Sequence, residues 1–263
     1  MTTSSTNSNN KGKLYLVPAP LDFGCDTLTP LTDVLPLATL QTAAKLQHWV
    51  CENAKSTRAY LKRVGEICPL LQPLQAVNIQ ELPREVHKKG DHPGSAGASF
   101  DAKPLLAAAL NGFDVGLVSE AGMPAIADPG SSVVRAAHDL GITVVPLVGP
   151  VSLMLALAAS GLNGQNFAFV GYLPSDTALL TKRIKELEQL ALKTAQTQLF
   201  IETPYRNTAL LHILISQLQT STRLAASCGL TLSDMQTRSN KVSVWRQQSH
   251  SLPLILPAVF AIG

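Results

Sequence analysis

The sequence predicts an α/β fold, built as two α/β domains with mixed, mainly parallel sheets. Three observations support this class. Strand-like and helix-like segments alternate along the chain, the order that gives a parallel sheet covered by helices. DVGLVS (114–119) is a continuous apolar run, the composition of a strand buried on both faces. And 46% of the 263 residues are hydrophobic while 5% are aromatic, so cores of Leu, Ala, Val and Ile are available at a length that favours two domains.

Taken in order, the polar start MTTSSTNSNNKG (1–12) reads as a disordered tail without the apolar stretch of a signal peptide. LYLVP (14–18) is a strand ended by prolines, and LTDVL (31–35) a short helix. LQHWVCE (46–52) and QAVNIQE (75–81) are strands by their β-branched and aromatic content. Between them NAKSTRAYLKRVG (53–65) is a helix that stops at Gly65. KKGDHPGSAGAS (88–99) is loop, and PLLAAALNG (104–112) is a helix ending at Asn-Gly. After the 114–119 strand, a helix carries Val133, Ala136, Ala137 and Leu140 on one face and stops at Gly141. ITVVP (142–146) is the next strand.

A helix from Pro150 to Ser160, apolar nearly all round and therefore expected to be buried, opens a second domain. The expected division is 1–12 tail, 13–148 N-terminal domain and 149–263 C-terminal domain. The second half then reads FAFVGYLP strand, a charged helix around KRIKELEQLALK, TQLFIE strand, NTALLHILISQL helix, and RLAASC, KVSVWR and AVFAIG strands. No repeat of fixed period is present.

Charge and cysteines narrow the classes. A net charge of +3 permits a phosphate-bearing partner without demanding one. The four cysteines include no CxxC pair and read as reduced thiols. Prolines and glycines interrupt VVPLVGPVSLMLALAASGL, the most apolar segment, well short of the ~20 apolar residues of a membrane span. The expectation is a soluble cytoplasmic protein.

SEAGMPAIADPG (119–130) is the informative stretch. It joins the buried strand to a helix, the position where α/β sheets bind ligands, beyond the carboxyl ends of their strands. Gly122 allows backbone to approach a ligand closely, Pro124 and Pro129 stiffen the loop, and Ser119, Glu120 and Asp128 add polar groups. The same composition also suits a plain turn with Asp128 or Ser131 capping the helix. GxGxxG after a strand, GxxxxGK[ST] and GxSxG are all missing, which argues against dinucleotide, P-loop and serine-hydrolase sites. His87, Asp91 and His92 lack an obvious third ligand and read as solvated loop rather than metal site.

LYLVPAP, VSEAGMPAIADPG, VVPLVGP with the following ASGL, FVGYLP and FIETPYR occur in that order. Together they resemble the tetrapyrrole methylase superfamily of S-adenosylmethionine-dependent methyltransferases. They look closest to its ribosomal RNA small-subunit methyltransferase I branch, a 2′-O-ribose enzyme. The resemblance runs from about Lys13 onward. It implies two α/β domains with S-adenosylmethionine in the cleft between them, usually as a homodimer, with no metal and no membrane. By motif matching the cofactor would be met by Pro20 and Leu21, by Ser119, Glu120, Ala121, Gly122 and Pro124, and by Val151 and Ser152. Glu202 and the Gly229–Leu230 region complete the set. The chain also departs from that branch. PLDFG stands where Pro-Ile-Gly-Asn is usual, and Glu52-Asn53 where Glu-Asp is. Glu-Ala-Gly-Met-Pro replaces Asp-Ala-Gly-Thr-Pro, and VGP replaces Pro-Gly-Pro.

Methyl transfer from a sulfonium needs alignment and exclusion of water more than protein chemistry. With a ribose hydroxyl as nucleophile, Glu120, Glu52 and Glu202 are the candidate general bases. Lys55, Arg58 and Lys62 share one helix face with Arg63 close by, a stripe suited to a phosphate backbone, and Arg206 of FIETPYR is a further candidate contact to substrate. Tyr60 and Tyr205 are candidates to stack on bases. RNA is the expected substrate. A methyltransferase for a tetrapyrrole or another small molecule, and a dimeric cofactor-binding protein without turnover, are the alternatives.

Overall fold

A computed structural model describes residues 11–92, 100–247 and 254–263, with the backbone alone for 87–89. Residues 1–10 of the expected tail, and 93–99 of the expected loop, lie outside the described residues. The chain divides into two compact units, one formed by the chain up to Phe23 with Pro30–Pro150, the other by Gly24–Thr29 with Val151–Gly263.

The first unit runs β1 (Leu14–Leu16), α1 (Leu31–Val34), α2 (Leu37–Lys45), β2 (His48–Cys51), α3 (Ala54–Gly65), β3 (Asn78–Glu81), α4 (Arg84–Lys89), α5 (Ala107–Leu110), β4 (Val115–Val118), α6 (Ser131–Asp139) and β5 (Val144–Pro146). Its sheet has the order β3-β2-β4-β1-β5 and is parallel throughout. All four residues of β4 are buried, as their composition requires of a central strand. One apolar cluster, with Leu40, Ala43, Leu61 and Val64, covers one face; another, with Leu106, Leu117, Val133 and Ala137, covers the other. The expected strand over 75–81 starts only at Asn78, because Leu74–Ala76 forms a 3-10 turn after Pro73. The expected 104–112 helix is likewise a 3-10 turn, Lys103–Leu106, followed by one α turn. Helix α2 has no counterpart in the sequence reading; it buries Thr39, Leu40, Ala43 and Ala44.

Gly116 of β4 is set by packing. A Cβ there would lie 2.6 Å from Cε3 of Trp49, a fully buried ring on neighbouring β2. Gly116→Ala should therefore lower stability by about 1–3 kcal/mol through overpacking, read from denaturant unfolding.

The second unit runs α7 (Ser152–Ser160), β6 (Phe167–Tyr172), α8 (Thr177–Thr194), β7 (Thr197–Glu202), α9 (Pro204–Gln217), β8 (Arg223–Cys228), β9 (Gln236–Lys241), α10 (Val242–Gln247) and β10 (Ala258–Ile262). The sheet order is β6-β7-β10-β8-β9. Among the described residues only β6 and β7 pair in parallel; β10 inserts antiparallel between β7 and β8, and β9 returns antiparallel on β8. This unit is thus the mixed sheet of the expected mixed, mainly parallel pair, and most of its own pairing is antiparallel. Stacked Phe200 and Phe260 lie in its core.

Two further expectations change here. KVSVWR is not a strand: the strand is the polar QTRSNK before it, and Val242 begins a helix that buries Val242 and Trp245. The indole Nε1–H of Trp245 donates to the Leu224 carbonyl at 2.9 Å, and Arg238 lies over its ring. Helix α7 is buried on one face only, through Leu153, Ala156, Leu157 and Ser160, while Met154 and Leu155 are exposed. Among the described residues no helix is long and apolar enough to cross a membrane.

Candidate functional site

The parallel pairing of β2 with β4 sets Cys51 beside Val118, so the residues leaving both strands emerge together. The backbone N–H of Glu120 donates to Oε2 of Glu52 at 2.8 Å, and Ser56 Oγ donates to Oε1 of Glu120 at 3.4 Å. Two of the three candidate bases are thereby neighbours. Ser119 is buried, and its Oγ has no hydrogen-bond partner.

The loop then turns back toward the end of β1. Ala19 and Gly122 exchange backbone hydrogen bonds at 2.9 and 3.1 Å. Gly122 has φ +68°, and a Cβ there would come within 3.2 Å of Leu21 Cδ2 and 3.6 Å of the Pro150 carbonyl oxygen. Pro20, Leu21, Ala121, Gly122 and Pro124 are thus ordered about one backbone crossing. Ala125 and Ala127 both sit at φ +65°. Left-handed backbone at two alanines costs about 1–2 kcal/mol per residue, and it persists only where the surroundings over-determine it.

Asp91 fixes the far end of the same loop. Its Oδ2 accepts from Gly130 N–H (2.9 Å), Ser132 N–H (2.9 Å) and Ser132 Oγ (2.7 Å), and its Oδ1 from Ser131 Oγ (2.8 Å). Arg135 donates to the Asp91 backbone carbonyl and to Ser131 Oγ. Asp91 is therefore the buried cap of α6 rather than solvated loop, and neither Asp128 nor Ser131 plays that part. Burial alone would raise its pKa, but the bonds from Ser132, Gly130 and Ser131 outweigh burial and hold it below the ordinary carboxylate value.

Asp128 goes the other way. Burial first, then the like charges of Glu52 and Glu120, push its carboxyl up to about 7. It is the functional candidate that sequence reading missed as a titrating group, although it lies inside the stretch singled out. Among the described residues no group of three His, Cys, Asp or Glu is placed to hold a metal ion.

Helix α3 borders this cluster. Asn53 caps it, accepting from Lys55 N–H at 2.8 Å and Ser56 N–H at 3.2 Å, a role Asn and Asp fill alike. Lys55, Arg58 and Lys62 are exposed. Arg63 is not part of the open stripe, because its guanidinium grips buried Asp22. Tyr60 is buried, with its hydroxyl donating to the Pro18 carbonyl at 3.3 Å, so it presents no ring for stacking.

The remaining candidates lie in the second unit. Val151 is the N-cap residue of α7 and Ser152 its first residue, both half-buried and without a side-chain cap bond. Buried Glu202 accepts from Thr203 N–H and Oγ1, and its Oε2 lies 3.3 Å from Arg206, which also donates to Ser175 Oγ. Two candidates, base and substrate contact, are thus paired with each other; Tyr205 beside them is 84% exposed. Leu230 is buried between Gly229 (φ +63°) and Thr231 (φ +72°), and Thr231 Oγ1 is buried without a partner.

An all-parallel unit with a strained loop after its central strand, joined in one chain to a mixed-sheet unit, agrees with the two α/β domains that the resemblance to the tetrapyrrole methylases implies. In fold the chain is similar to the crystal structure of the methyltransferase CobJ, with a TM-score of 0.55 and 16% identity over 95% of this chain and 93% of that one. In sequence it is similar to proteins named Ribosomal RNA small subunit methyltransferase I. Identity is 31% with that of Vibrio cholerae, over 78% of this chain and 60% of the relative. For Mesorhizobium japonicum it is 34% over 73% and 55%, and for Halalkalibacterium halodurans 38% over 75% and 57%. The chain therefore spans 55–60% of the length of these relatives. No protein-family model matches the sequence.

Proposed function

We propose that the chain is an S-adenosylmethionine-dependent methyltransferase acting on small-subunit ribosomal RNA, with a ribose 2′-hydroxyl as acceptor. One observation carries the cofactor reading. Of the buried side-chain polar atoms without a partner among the described residues, Ser119 Oγ lies in the stretch after β4 matched to cofactor binding. A buried hydroxyl left unpaired is costly, and a ligand supplies the missing partner. Gly122 adds a place where a Cβ would crowd Leu21. The residues present therefore suit the cofactor. The names of the sequence relatives support the RNA part of the reading.

The cofactor, when bound, supplies a methyl group activated on a sulfonium. The protein's part would be to orient the acceptor hydroxyl toward the bound donor, to exclude water and to take the hydroxyl proton. Ser119 and the backbone around Gly122 hold the donor. Asp128 accepts the proton, its carboxyl pushed up to about 7 by burial and by the charges of Glu52 and Glu120. Glu202, bound to Arg206, acts as an anchor for the start of α9 rather than as the base. The same reading includes a cytoplasmic homodimer, which sedimentation equilibrium tests.

Incubation with methyl-labelled cofactor and unmodified small-subunit ribosomal RNA should place label in a 2′-O-methyl nucleoside after nuclease digestion. Label appearing only in small-molecule fractions of a cell extract would refute the RNA substrate, and cofactor binding without any labelled product would refute turnover.

The exposed face of α3 carries the phosphate contacts. Lys55→Ala/Arg58→Ala/Lys62→Ala should weaken RNA binding and flatten the plot of log affinity against log salt by about 2 units, from ~0.7 per phosphate contact on single-stranded RNA. Filter binding across a salt series reads this, and an unchanged slope would remove α3 from the interface.

A further inference from the structure

We propose that Arg63 is a positioning residue for the cofactor-facing turn Pro20–Leu21, acting through Asp22 rather than touching RNA; the inference rests on the cofactor reading above. The grip has two parallel bonds, Nη1 to Oδ1 at 3.2 Å and Nη2 to Oδ2 at 3.0 Å. Asp22 is only 4% exposed, so its carboxylate has left water and requires charged or hydrogen-bonding company. A guanidinium meets a carboxylate with a rigid fork that fixes direction as well as distance.

Asp22 follows Leu21 directly, so what fixes one fixes the other. Residues 18–22 are pinned on both sides. Helix α3 holds them through the Tyr60 hydroxyl on the Pro18 carbonyl and through Arg63 on Asp22. The loop after β4 holds them through the paired backbones of Ala19 and Gly122. Leu21 lies against Gly122, where a Cβ would come within 3.2 Å of its Cδ2. The turn is also where this chain departs from the related branch, carrying Asp22 within PLDFG, and Arg63 supplies the cation that this buried carboxylate needs.

Arg63→Lys keeps the charge and most of the stem but cannot grip both oxygens, and Asp22→Asn keeps the shape without the charge. Two readouts separate positioning from bulk stability. Amide exchange of residues 19–23 in ligand-free protein should speed up by about tenfold or more in either variant while exchange within α3 stays slow. Calorimetry with S-adenosylhomocysteine should show Kd raised by about tenfold or more. Unchanged exchange at 19–23, or a variant Kd within about twofold of wild type, would overturn the inference. If Arg63→Lys fails to fold, Asp22→Asn decides alone. No binding of S-adenosylhomocysteine by the wild type would bring down the cofactor reading and this inference with it. Equal binding by wild type and variants would bring down the inference alone.

Discussion

Asp128→Asn is expected to lower turnover by about 10²- to 10⁴-fold, the range by which a positioned proton acceptor contributes. The wild-type rate should rise with pH through an apparent pKa near 7, because burial and the charges of Glu52 and Glu120 push the Asp128 carboxyl to about 7. That step belongs to Asp128 and should vanish in the variant. Glu120→Gln removes one of the like charges, so it should move the step to lower pH. Stability gives an independent check with a definite sign. A carboxyl whose pKa is raised by folding binds its proton more tightly in the folded chain. Its stabilising effect is therefore complete below the unfolded value near 4 and is lost as pH rises toward 7. The Asn variant, which never ionises, should melt higher than wild type above pH 7 and gain nothing of this kind below pH 4. An unaltered pH–rate profile in Asp128→Asn would remove Asp128 from the reaction, whatever its effect on melting.

What the sequence shows and hides follows from the range of each interaction. Strand β4 is legible because burial on both faces demands an unbroken apolar run, and Val115–Val118 supplies one. Helix α6 is legible because Val133, Ala136 and Ala137 repeat at helical spacing. The buried face of α3 at Thr57, Tyr60, Leu61 and Val64 carries the same signal, and it already argues against Tyr60 as a stacking ring. Strand β9 hides because QTRSNK is polar at every position. Its pairing comes from β8, where Thr237 Oγ1 donates to Ser227 Oγ, and no local apolar pattern marks it. Within the candidate site, the stretch 119–130 stands out locally, but its chemistry is made by partners far along the chain. Glu52 reaches Glu120 only through the β2–β4 register, and the raised Asp128 pKa depends on both. Asp91 caps a helix that begins 40 residues later, behind a segment whose composition says only loop.

That remote cap makes Asp91→Ala the substitution with the largest expected effect on stability. It removes the acceptor for the buried N–H groups of Gly130 and Ser132 and for two serine hydroxyls. Two orphaned buried donors at ~1–3 kcal/mol each, with a negative charge lost from a helix N-terminus at ~0.3–2 kcal/mol, give a cost of about 3–5 kcal/mol. The pH dependence follows from the lowered pKa. A carboxylate held below its unfolded value stabilises fully above that value, near 4, and its contribution disappears as pH falls through the folded pKa. The gap between wild type and Asp91→Ala in chemical unfolding should thus be constant from pH 5 to 8 and narrow in stronger acid. Function should suffer beyond the loss of folded protein. The left-handed backbone at Ala125 and Ala127 is maintained by its surroundings, and Asp91 grips the far end of the same loop at Gly130. In Asp91→Ala those alanines should relax to ordinary backbone, Asp128 should leave its place beside Glu52 and Glu120, and turnover per folded molecule should fall at temperatures where circular dichroism still shows full structure. A variant that is merely less stable, with normal turnover per folded molecule and a pH step still near 7, would show that the loop holds its shape without the cap and would uncouple Asp91 from the site.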